Sequence, residues 1–152
     1  MHHLNARWTF DQSVLSGIGL YVTVWAGVER MLNQFIVAYH PHRPPTLKVP
    51  PRDLQSKVKY LSEVAKDQRL PPELRGHIGD IAADLGRESV YRHNLIHGYG
   101  FRRRRLGNLS WTFQWIDLRG NEPKLIEETY SHEEMRRRLQ RISEISLKLQ
   151  AC

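Results

Sequence analysis

QSVLSGIGLYVTVWAGVERMLNQFIVAY, running from Gln12 to Tyr39, is the longest periodic stretch of the chain. Val14, Ile18, Tyr21, Trp25, Val28, Leu32, Phe35 and Tyr39 recur every three or four positions, which places them on one face of a helix. Ser16, Thr23, Glu29, Arg30, Asn33 and Gln34 break its apolar character, so no run of eighteen apolar residues exists and no membrane span is expected. Gly17, Gly19 and Gly27 weaken the helix locally and permit close approach of another backbone.

Outward from this helix, residues 40–52 (HPHRPPTLKVPPR) hold five of the eight prolines. Proline cannot continue a helix and biases its predecessor away from helical angles, so a rigid extended crossover is expected here. A second helix is predicted over about Asp53 to Gln68, with Leu54, Val58, Leu61 and Ala65 as its stripe. Pro71-Pro72 opens a third, since proline suits a first helical turn. Leu74, Ile78, Ile81 and Leu85 give its stripe, and the same spacing reaches Arg92 and Ile96, with Gly98 as the cap. From Leu109 the period changes to two: Trp111, Phe113 and Trp115 alternate as in a strand, residues 119–123 read as a turn, and Lys124 to Tyr130 as a returning strand. Ser131 and Glu134 form a capping box before a last helix with the stripe Met135, Leu139, Ile142, Ile145 and Leu149. Residues 1–152 are therefore expected to form one domain. Its fold class is mainly α, a four-helix bundle with a β-hairpin inserted at about 109–130.

A chain of 152 residues can bury a real hydrophobic core. Its apolar fraction of 40% and mean hydropathy of −0.55 fit a soluble globular protein. Cys152 is the only cysteine, which excludes an intrachain disulfide and a cysteine-based structural zinc site. The N-terminus lacks the charged-then-apolar order of a signal peptide, so a cytoplasmic protein is expected. A net charge of +7 and an isoelectric point near 9.9 favour polyanionic partners, nucleic acid above all.

The chemistry concentrates in Arg92-His93-Asn94-Leu95-Ile96-His97-Gly98. Arginine clamps phosphate through a permanently charged planar fork, and histidine moves protons near neutral pH. The pair suffices in principle to cleave a phosphodiester without a metal. On one ideal helix, five residues separate them by about 140° and about 7.5 Å. A single chain therefore presents them poorly to one phosphate, and a twofold homodimer repairs this by placing two copies in one cleft. Glu29, beside the apolar stripe of the first helix, is the expected partner of Arg92. His93 and His97 share a helical face at a spacing that suits two metal ligands. The residues between them lack the glutamate of HExxH, and no third ligand is evident, so no metal and no cofactor are expected.

Arg-x4-His, with polar His93 after Arg92 and Gly98 after His97, resembles the signature of the HEPN superfamily. The likeness spans roughly residues 12–98 and the final helix, without the hairpin. It implies a small helical bundle, a homodimer, and metal-independent endoribonuclease activity of the kind found in toxin–antitoxin, phage-defence and RNA-processing systems. Carried onto this chain, it makes His97 the general acid or base and Arg92 the stabiliser of phosphorane charge, yielding a 2′,3′-cyclic phosphate and a 5′-hydroxyl. His93 and Asn94 would orient the site. RNA is then the expected partner, with a cognate antitoxin where the chain is the toxin of such a pair. Some members of the superfamily only dimerise or hold RNA, which is the alternative expectation.

Arg102, Arg103, Arg104 and Arg105 follow the motif closely and are expected to contact RNA phosphates. Arg136, Arg137, Arg138 and Arg141 are expected on a solvated face. Trp111, Phe113 and Trp115 are expected to pack rather than to stack on bases. A DNA-binding regulator is disfavoured, because no helix-turn-helix pattern is present.

Overall fold

A computed structural model describes the backbone of residues 12–97, 99–105, 108–117 and 122–152, with the side chains of 13, 14 and 99–109 outside that description. In chain order the elements are α1 (Gln12–Tyr39), a 3-10 turn (His40–His42), α2 (Leu54–Val64), α3 (Pro72–His97), β1 (Tyr99–Arg105), β2 (Asn108–Asp117), β3 (Lys124–Ser131) and α4 (His132–Gln150). The expected architecture is present: mainly α, four helices, and an antiparallel hairpin before the last helix. The hairpin is β2–β3, with Trp111 opposite Tyr130 and Phe113 opposite Glu128. A strand that the sequence does not suggest, β1, pairs antiparallel with β2 and completes a three-stranded sheet in the order β1-β2-β3.

The helix ends follow from local chemistry. The Asp53 carboxylate accepts from the Ser56 amide at 2.8 Å and caps α2. The Ser131 hydroxyl accepts from the Glu134 amide at 3.1 Å and starts α4, as the capping box predicts. α2 stops at Val64, four residues short of the predicted Gln68. Asp67 is the cause: its carboxylate accepts from the Arg69 amide at 3.1 Å, a local bond that competes with helix continuation. The same carboxylate takes the Tyr39 hydroxyl and the Arg69 guanidinium, while Arg69 also donates to the His42 carbonyl at 2.9 Å. This knot ties the end of α1 to the α2–α3 turn. In the proline-rich crossover, Arg43 folds back to donate to the carbonyls of His40 and Leu47 at 2.7 and 2.6 Å.

α1 packs chiefly on α4, and α2 on α3. The core joins Tyr21, Trp25, Val28, Leu32 and Ile36 of α1 to Ile78, Ile81, Leu85 and Leu95 of α3 and Ile142, Ile145 and Leu149 of α4. α2 adds Tyr60, Leu61 and Val64, and the sheet adds Phe113 and Tyr130. Close approach rests on glycine at one point above all. A Cβ on Gly17 would lie 2.8 Å from the Trp111 ring, so the bare backbone of α1 is the seat on which the sheet docks.

Candidate functional site

α3 runs unbroken past Gly86 to His97, so the apolar stripe keeps its phase up to Arg92. Arg92 therefore points into the bundle flank, at 31% side-chain exposure. A charge placed there requires a partner, and α1 supplies two. The Glu29 carboxylate lies 2.8 Å from the Arg92 guanidinium, and the Trp25 ring sits beneath it with 5.8 Å between guanidinium carbon and ring centroid. The expected Glu29–Arg92 pairing is present. The sequence marks Trp25 only as a stripe residue. Its second role follows from its being one helical turn before Glu29 on the same side of α1.

His93 and His97 are exposed, and their rings touch, with centroids 4.6 Å apart and planes tilted by 48°. Asn94 is buried and turns the opposite way, with its amide 3.5 Å from the Glu128 carboxylate of β3. Glu128 also accepts from the Tyr130 hydroxyl, which burial and this carboxylate push to a raised pKa. So of the three residues expected to orient the site, Glu29 meets Arg92 and His93 lies against His97, while Asn94 belongs to the seam between α3 and the sheet. Arg92 faces α1 while His97 faces outward, and the roughly 140° between them on one helix separates the two groups within a chain.

β1 carries Arg102 to Arg105, whose side chains lie outside the described residues. Its backbone register sets Arg102 opposite Trp111, Arg103 opposite Ser110, Arg104 opposite Leu109 and Arg105 opposite Asn108. Successive strand positions alternate between faces. The four arginines thus divide into two register classes of two residues each along the strand.

Arg138 differs from the expected solvated face. It is 6% exposed, stacks with its guanidinium carbon 3.1 Å from the Tyr91 ring centroid, and pairs with Glu134 at 2.8 Å. Helical phase explains this: Arg138 falls between Met135 and Ile142 on the buried stripe of α4. Glu88 of α3, also buried, stands 3.7 Å from Arg138 and 3.7 Å from Arg141. Burial raises the Glu88 pKa, and the two arginines oppose that shift. Beside Glu88 lies a cleft of about 400 Å³ between α3 and α4, lined by Asp84, Arg87, Arg141 and Lys148 among others.

Phe113 is fully buried, and Trp111 and Trp115 pack against the core, as expected for structural aromatics. Among the described residues no group of three His, Cys, Asp or Glu is placed to hold a metal ion, and no helix is long and apolar enough to cross a membrane. No family model, curated protein or solved structure matches the chain.

Proposed function

We propose that this chain is a metal-independent endoribonuclease of HEPN type, acting through a composite Arg92/His97 site at a homodimer interface. The observation that carries the reading is the arrangement of the motif. Arg92 is paired with Glu29 and lies over the Trp25 ring, while His97 stands exposed in the last turn of the same helix. In the dimer, His97 takes the proton of a ribose 2′-hydroxyl and returns one to the leaving 5′-oxygen. Arg92 offsets the charge that builds on the phosphorane oxygens. Arg102, Arg103, Arg104 and Arg105 hold the flanking phosphates. A cytoplasmic toxin or phage-defence component, restrained by a cognate antitoxin, fits this activity.

A second reading is favoured by one contact. The Arg92 guanidinium is already neutralised by Glu29, which suits a non-catalytic dimer that binds RNA or a partner protein. Purified protein incubated with single-stranded RNA in excess chelator separates the two. Cleavage by the wild type, its loss in His97→Ala, and cyclic phosphate ends support the nuclease. RNA bound but uncut by both proteins supports the second reading, and a monomer at micromolar concentration in ultracentrifugation removes the composite site.

A further inference from the structure

We infer that His93 and His97 form a two-imidazole capture site for a first-row transition ion, Zn²⁺ or Cu²⁺, at the end of α3. Imidazole is a favoured protein ligand for both ions. Two histidines four residues apart on a helix bring their rings to one ion, as in helical zinc sites. In this chain the two rings already lie side by side on the exposed face of α3, with 4.6 Å between centroids. Both side chains are exposed, and neither ring has a hydrogen-bond or ion-pair partner among the described residues.

The other described imidazoles near a partner are differently engaged. His40 meets the Tyr60 hydroxyl at 3.1 Å, His77 meets the Lys148 carbonyl at 3.1 Å, and His132 lies edge-on to Trp111. The charge closest in sequence, on Arg92, is balanced by Glu29 and does not stand free to repel a cation. Two protein ligands fall short of the four of a structural zinc centre. The ion therefore keeps open positions for water and exchanges with solution. The site is a sensor or an inhibitory site rather than part of the fold.

One consequence rests on the nuclease reading. A metal bound to His97 occupies the lone pair that the imidazole needs to accept the ribose proton, so loading the site silences cleavage.

Calorimetric titration of Zn²⁺ and of Cu²⁺ into the full chain tests the site. The chain carries His2→Ala and His3→Ala, so that the N-terminal pair does not compete. One ion per chain, or one per two chains in a dimer, is expected. His93→Ala, His93→Gln and His97→Ala should each weaken binding at least about tenfold, with unchanged circular dichroism, and His132→Ala should not. Absence of saturable binding for both ions, or affinity indifferent to His93 and His97, overturns the site. The regulatory link is read separately. Zn²⁺ should suppress RNA cleavage with the midpoint seen in calorimetry, and chelator should restore it. Cleavage that persists with the ion bound overturns that link. A protein that binds the ion but never cuts RNA refutes the nuclease reading and leaves the metal site standing.

Discussion

Arg92 is a guanidinium at the edge of a core, and what surrounds it decides what its loss will cost. The ion pair with Glu29 is about one-third exposed on each side, so its contribution to folding is about 1 kcal/mol or less. If the residue serves catalysis, the larger penalty falls on rate. Arg92→Ala should lower single-turnover RNA cleavage by about 10²–10³-fold, the scale of removing one oxyanion donor. His97→Ala should lower it by about 10²–10⁴-fold, the scale of general acid–base catalysis. Arg92→Lys keeps the charge and loses the planar fork, so it should resemble Arg92→Ala more than wild type. A set of variants that melt earlier yet cut RNA at the wild-type rate would contradict these roles. The Glu29–Arg92 pair is legible in the sequence, because both residues fall on or beside the apolar stripes of long helices and a charge there needs its opposite. Arg138 escapes the same reasoning although the same signal exists. It lies three residues after Met135 and four before Ile142, but the run Arg136-Arg137-Arg138 hides that phase behind uniform charge. The Asn94–Glu128 contact has no sequence signal, since it depends on how the sheet docks.

The elements are legible where periodicity is strong and obscure where pairing imposes conformation. α1, α3 and α4 announce themselves by stripes and caps that act within a few residues. β1 does not: Tyr-Gly-Phe-Arg-Arg-Arg-Arg has no alternation to read, and its extended form comes from the ladder with β2. The docking of that sheet on α1 makes the sharpest prediction at this scale. Gly17→Ala places a methyl group 2.8 Å from the partly buried Trp111 ring, closer than packed carbons tolerate, so ring or backbone must shift. The substitution should destabilise by about 1–3 kcal/mol in chemical unfolding, the usual cost of overpacking. Removing the ring in Trp111→Leu costs stability by itself. The double variant should nevertheless be more stable than the sum of the two losses implies, because the clash is gone. Strict additivity would show that Gly17 and Trp111 do not bear on each other.

For the whole molecule, two buried carboxyls pull the acid response in opposite directions. Arg69 and Tyr39 lower the Asp67 pKa, so the folded chain binds that proton less readily than the unfolded one. The stabilisation is complete above about pH 4, the ordinary aspartate range, and fades as pH falls further. Burial raises the Glu88 pKa, so its charge costs stability at neutral pH, and the cost is relieved as pH falls toward the ordinary glutamate range. Asp67→Asn should flatten the fall in stability below about pH 4 in urea unfolding. Glu88→Gln should flatten the gain that the wild type shows as acid neutralises that carboxylate. Neither effect would appear if both groups titrated alike in the folded and unfolded chain. The net charge of +7 makes any RNA binding salt-dependent. Replacing Arg102, Arg103, Arg104 and Arg105 with glutamine should shrink the slope of log affinity against log salt by about 0.7 for each phosphate they neutralise. An unchanged slope would exclude these residues from the interface. The strand that carries them is also one of the two outer members of its sheet, and an outer strand is a template on which another chain can polymerise. Like charges along that margin repel a second copy in register. The run of arginines thus acts as a guard on solubility whatever it binds. Threonine at all four positions should turn a clear solution turbid in light scattering, at concentrations where the wild type stays dispersed.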